Sequence, residues 1–170
     1  KPFMNSLKSL ITFKKFFSQA GVHFKKMYVG RAIGCTSITF SKSVQICDIR
    51  KPFFLKVDIE GSEYRILDEI LDHKNLIQGL AIEFHDFDLH IAEIQRFTER
   101  LGLQVAHVHV NNYGEVDDDN TPIFLEVVYS SCAPNLNKQA LLPNPLDMPN
   151  DPARPEVQIV FSDAKIQGTK

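Results

Sequence analysis

The chain has 170 residues, 44% of them hydrophobic and 24% charged, and a formal net charge of −2. That suits one domain with a substantial core, and it excludes the bulk positive field that nucleic acid or an anionic membrane surface would need as a partner. Three widely spaced cysteines, Cys35, Cys47 and Cys132, argue against a disulfide framework or a CxxC zinc site and fit a reducing, cytoplasmic compartment, with no membrane-length apolar stretch and no visible signal peptide.

In chain order, Asn5 or Ser6 is expected to cap a first helix with Leu7, Leu10, Ile11, Phe13, Phe16 and Phe17 at helical spacing, stopped by Gly21. Residues 22–29 read as a strand ending at Gly30. A loop over residues 31–34 and a weakly alternating stretch over residues 35–40 follow, and residues 40–51 carry no good helical pattern.

Pro52 introduces the stretch around which the chain is organised, Phe53-Phe54-Leu55-Lys56-Val57-Asp58-Ile59-Glu60-Gly61-Ser62-Glu63. Its near-continuous apolar start predicts a strand buried on both faces. It ends in Asp58 and Glu60, which share a face if the strand stays extended. Gly61 permits a sharp turn, Ser62 is a suitable N-cap, Glu63 sits where the positive end of a helix dipole favours an acid, and Ile66, Leu67, Ile70 and Leu71 form the stripe of the next helix.

Residues 80–84 predict a second buried strand, leading to Glu83, His85, Asp86 and Asp88. Asp88 is expected to cap a helix with Leu89, Ile91, Ile94, Phe97 and Leu101 inward and Gly102 as its stop. Residues 103–110 predict a third strand. Asn111-Asn112-Tyr113-Gly114 is turn chemistry, Asp117 to Asp119 make a solvated acidic loop, and residues 122–129 return antiparallel. The alternation of strands and helices predicts βαβ units. Six prolines after Ala133 divide the chain into a domain over residues 1–132 and a Pro-rich tail over 133–170 that packs on it, with one short strand possible over 157–161.

Lys56-Val57-Asp58-Ile59-Glu60-Gly61-Ser62-Glu63 resembles the signature of the FkbM-type methyltransferases. Leu80 to His85, His109 to Gly114 and Pro122 to Val127 resemble later family segments in the family's order. The resemblance implies an α/β, Rossmann-like, mostly parallel sheet ending in an antiparallel hairpin, with strand order 3-2-1-4-5-7-6. It also implies S-adenosylmethionine (SAM) as cofactor and O-methyl transfer to a small molecule or sugar. The glycine-rich SAM loop of such folds has no counterpart before the central motif. Gly30-Arg31-Ala32-Ile33-Gly34 is a weak substitute. Set against the family, the fold is N-terminally incomplete, with strands 1 and 2 expected upstream of Lys1.

The resulting site candidates are Asp58, Glu60, Glu83 and His85 for catalysis and Asp58, Gly61 and Ala32 for the cofactor, with His109, Asn111 and Asn112 for the substrate. In open α/β sheets ligands bind at the carboxyl ends of the strands, where these acids and histidines fall. Such groups could orient or deprotonate a hydroxyl, or ligate a metal, although no zinc-site spacing is present and no metal is assigned. Glu60 could equally cap a helix, Asp58 could hold a loop amide, and His85 or His109 could be hydrogen-bonded structural residues. A non-catalytic interaction domain and a metal-assisted hydrolase remain the alternatives. The three cysteines read as inert thiols.

Overall fold

The structure, a computed structural model, describes residues 2–31, 34–132 and 142–158. The elements in order are α1 (Pro2–Phe17), β1 (Tyr28–Val29), β2 (Ser37–Ile38), α2 (Phe40–Ile46), β3 (Phe53–Val57), α3 (Leu67–Asp72), β4 (Ile77–Phe84), α4 (Phe87–Leu101), β5 (Gln104–Val110) and β6 (Leu125–Ser130). Single 3-10 turns precede α3 at Glu63–Arg65 and β4 at Lys74–Leu76.

The main sheet has the order β3-β4-β6-β5. β3 and β4 are parallel, and β6 runs antiparallel to both β4 and β5. Hence β3, β4 and β5 point one way and β6 alone is reversed, a mixed α/β sheet with an antiparallel hairpin at one side.

Alternation along the strands sorts the side chains onto two faces. Leu80, Ile82 and Phe84 of β4 share a buried face with Val57, Val127 and Tyr129. Against them lie Ile66, Leu67, Ile70 and Leu71, then Ile94, Phe97 and Leu101, so both predicted apolar stripes close over this core. Burying one such aliphatic side chain contributes about 1.5–3 kcal/mol. Leu89 and Ile91 depart from the expectation and are exposed near the start of α4. Tyr129 closes the core with its ring edge-on to Phe97 and its hydroxyl 2.8 Å from Thr98 Oγ1.

Several local expectations are corrected. The strand predicted over residues 22–29 shrinks to Tyr28–Val29, which pairs in parallel with Ser37–Ile38 in a separate two-stranded ladder. Residues 40–46 are helical after all. Thr39 caps this helix by accepting from Lys42 N at 3.1 Å, and Phe40 and Val44, one turn apart, enter the core.

β3 is buried on one face only: Phe54, 62% exposed, and Lys56 look outward. Phe54 lies over Gly79, where a Cβ would meet its ring at 2.7 Å. Ser62 makes no side-chain cap, and the N-cap position of α4 is Asp86 in the left-handed region, not Asp88. Among the described residues no strand pairs with the outer edge of β3, and the Tyr28–Val29 strand has not moved in to fill it.

Of the tail, residues 142–158 are described and make contacts with β5 and β6. His107 Nε2 meets Asp147 at 2.8 Å, and Asn150 donates to Glu126 at 3.1 Å. Val157 and Gln158 lie outside any strand, and the remaining residues of the strand considered over 157–161 fall outside the described residues. No described helix is long and apolar enough to cross a membrane.

Candidate functional site

The chain leaves β3 at Val57 and turns at once. Glu60 (φ 55°) and Gly61 (φ 88°) both occupy the left-handed region, and Ser62 N donates to Ile59 O at 3.3 Å. Gly61 accepts this geometry freely, whereas a residue with a Cβ such as Glu60 carries roughly 1–2 kcal/mol of strain there. Asp58 and Glu60 therefore do not share a strand face. Asp58 stays at the sheet edge, and Glu60, its side chain 88% exposed, swings out toward the His85 ring.

The turn is held from inside by Glu63, which is 0% exposed. Its Oε1 accepts from Ile59 N at 3.0 Å and Gly61 N at 3.2 Å. A buried carboxylate is tolerable only with such donors.

From the end of β4, Glu83 and His85 reach the same place. One ligand-capable atom each of Asp58, Glu83 and His85 lies within 4.8 Å of the others. The expected meeting of Asp58 and Glu83 at the carboxyl edge of adjacent parallel strands is thus observed. Each of the three has a neighbour behind it. Lys56 Nζ donates to Asp58 Oδ2 at 2.8 Å, a bond that lifts the Lys56 pKa above its ordinary value. Asn111 Nδ2 donates to Glu83 Oε1 at 2.6 Å.

Behind His85, Glu63 Oε1 stands 3.2 Å from Nδ1, and in front Glu60 Oε2 stands 3.5 Å from Nε2. The Nδ1 contact lacks hydrogen-bond alignment, which leaves His85 Nδ1 buried without a hydrogen-bond partner, and Glu63 Oε2, the other carboxylate oxygen, is also buried and unpaired. The His85 ring also leans on Phe124, with centroids 5.1 Å apart.

The Tyr64 hydroxyl donates to the His85 carbonyl, and its ring stacks on His90 at 3.7 Å. Burial, then the Glu63 carboxylate, pushes the Tyr64 phenol well above its usual range, which keeps it a donor.

The substrate candidates separate. Asn111 belongs to the cluster through Glu83, and its Oδ1 accepts from Tyr113 N at 3.0 Å. His109 and Asn112 do not line the crevice, because both are taken up by the tail. His109 lies between Glu126 at 3.1 Å and Glu156 at 3.2 Å. Desolvation lowers its pKa, but the two carboxylates outweigh it and the net shift is upward. Asn112 is 2% exposed, donates to the Asp151 and Arg154 carbonyls at 3.0 and 3.2 Å, and accepts from Asp151 N at 2.7 Å. Gly61 shapes the turn, and Ala32 lies outside the described residues.

Sequence reasoning missed Lys56, Glu63 and Tyr64 as parts of the site. Glu63 had been read as a helix-dipole partner. The available signal was its place two residues after Gly61, within reach of the turn's N–H groups.

Beside the cluster, the outward face of the sheet carries a shallow crevice of about 120 Å³ lined by Lys56, Ala81, Glu83, Glu126 and Val128 among others. It suits a few waters or the tip of a ligand, since sites that enclose a drug-sized molecule span about 300–1,000 Å³. No family model matches the chain, and no curated protein and no solved structure was found to match it.

Proposed function

We propose that the chain is part of an FkbM-type, SAM-dependent methyltransferase that transfers a methyl group to a hydroxyl of a small molecule or sugar. One observation carries this reading. The order β3-β4-β6-β5, with β6 alone reversed, matches the 4-5-7-6 half of the family sheet, and the motif acids meet at its carboxyl edge.

The described residues do not by themselves fit SAM. That cofactor needs a glycine turn running into a helix N-terminus. The G-x-x-x-G after β1 leads into β2, and the crevice is too small to enclose the cofactor. No cofactor step is therefore derived.

What this chain supplies in this reading is the acceptor side. Glu83, held by Asn111, and Asp58, held by Lys56, orient the hydroxyl. His85, with Glu60 and Glu63 at its two nitrogens, takes the proton.

A second reading, a methyltransferase-like interaction domain without cofactor, is favoured by that same absence of a cradle. Calorimetry with SAM, followed by transfer of a labelled methyl group to a panel of sugar and small-molecule alcohols, separates the two. The first reading expects saturable binding and a transfer that His85→Ala reduces far more than it lowers the melting temperature. No heat with SAM sinks it in favour of the second, and equal losses of activity and melting temperature make His85 structural.

A further inference from the structure

We infer that Asp58, Glu83 and His85 form a binding site for one divalent cation of the Zn²⁺ or Mn²⁺ class. The inference concerns ion binding alone and stands whether or not the chain transfers methyl groups.

The donor set is two carboxylate oxygens and one imidazole nitrogen, drawn from the ends of two adjacent parallel strands, with the candidate atoms within 4.8 Å of one another. A metal with bonds of about 2.0–2.2 Å holds its ligand atoms roughly 3–4 Å apart. Small side-chain rotations therefore close the set without moving the backbone. Three protein ligands leave further positions for water or a substrate oxygen, the pattern of an open site. Imidazole nitrogen beside carboxylate oxygen favours a borderline transition ion over Mg²⁺ or Ca²⁺.

The cluster is more than acids sharing a neighbourhood. Glu63 is wholly buried and set against the His85 ring. Its Oε2 has no hydrogen-bond partner, and neither does His85 Nδ1, which stands 3.2 Å from the other oxygen, Oε1. Burying such groups unsatisfied is costly, and more so when one is charged.

An ion on His85 Nε2 resolves the arrangement. It fixes the proton on Nδ1, which then donates to Glu63 after a slight rotation of the ring. This is the carboxylate–histidine–metal relay that orients metal-bound imidazoles. Asn111 does the equivalent for Glu83 by holding Oε1, which leaves Oε2 for the ion. Glu60 Oε2, on an exposed side chain 3.5 Å from Nε2, is placed to approach the same ion.

Lys56 is the opposing influence. Its ammonium sits 2.8 Å from Asp58 and supplies the counter-charge that a cation would bring. Ion binding must displace or outcompete it, so removing Lys56 strengthens the site.

The test is titration of chelator-stripped protein with MnCl₂, followed by the loss of the free-ion EPR signal, and with ZnCl₂ by calorimetry. The expected result is one saturable ion per chain. Asp58→Asn and His85→Ala each weaken it more than about tenfold, and Asn111→Ala weakens it by about tenfold. Lys56→Met tightens it several-fold, and His107→Ala, in the tail contact, leaves it unchanged. Melting in EDTA shows which variants are folded. If Asp58→Asn does not fold, the exposed Lys56→Met decides: tighter binding supports the site, and unchanged or weaker binding overturns it. The inference also fails if wild-type protein takes up no ion saturably, if Mg²⁺ binds as tightly as Zn²⁺, or if affinity survives both Asp58→Asn and His85→Ala.

Discussion

Acids and histidines stand at the ends of β3 and β4 and again along β5 and β6, yet their histidines are engaged differently. On the β5 and β6 side, His107, His109 and Asn112 meet Asp147, Glu156 and Asp151 of the tail, although Asn150 Oδ1 and Glu156 Oε1 there are themselves buried without a hydrogen bond. At β3 and β4, His85 and Glu63 keep buried atoms without hydrogen bonds, and Glu60 holds a left-handed conformation over them. Residue type does not separate a site from a staple here. The separation lies in whether the chain itself supplies the partners. A histidine saturated by the chain's own carboxylates, as His109 is at both nitrogens, contributes stability, whereas His85, with a buried unpaired nitrogen, is poised for a ligand.

Substitutions sharpen this contrast, and the largest effect is expected on the saturated side. Asn112→Ala removes one acceptor and an amide group that donates to three tail carbonyls from a buried position, and leaves Asp151 N–H unmatched. The expected loss is about 3 kcal/mol in urea unfolding, with faster proteolysis within residues 142–158. A change of only a few tenths would mean that the tail is not anchored there.

Glu63→Gln keeps the size but removes the charge that serves Ile59 N–H and Gly61 N–H. A loss of about 2 kcal/mol is expected, and an unchanged urea midpoint would contradict the picture of Glu63 as the inner support of the turn. Gly79→Ala places a Cβ 2.7 Å from the Phe54 ring. The ring is exposed and can turn away, so the loss should be only about 1 kcal/mol, and Phe54→Ala in the same chain should relieve it. Full destabilisation in the double variant would show that backbone, such as the Tyr129 carbonyl at 3.3 Å, is what clashes.

The smallest effect is a pH dependence. The His109 pKa is raised above 6.5 in the folded state, with Glu126 and Glu156 facing the ring. Its contribution is therefore present below about pH 6.5 and fades as pH rises through the higher folded value. His109→Gln should flatten the dependence of stability on pH over that window. An unchanged slope would place the protonated ring elsewhere.

Periodicity made the main sheet legible: β3, β4, β5 and the stripes of α3 and α4 follow apolar spacing that tertiary packing then uses. The meeting of Asp58 with Glu83 was legible too, because consecutive parallel strands bring their ends together. Less visible was α2, whose only signal is Phe40 and Val44 one turn apart behind a Thr39 cap. The outward face of β3 was misread because an apolar run looks the same whether one face or two are covered. His109 and Asn112 looked like ligand groups because their partners lie 39–47 residues further on, beyond any local pattern. Glu63 was mistaken for a dipole partner, since its bonds run backwards into the preceding turn.

The central claim is that the two histidine groups differ in availability, and ¹⁵N NMR of the imidazole rings tests it directly. As ZnCl₂ is added to chelator-stripped protein, the His85 ring nitrogens should shift, with Nε2 becoming the bound nitrogen and Nδ1 keeping its proton toward Glu63. The His107 and His109 signals should stay in place until His85 is saturated. A silent His85, or His107 and His109 moving together with it, would contradict the account.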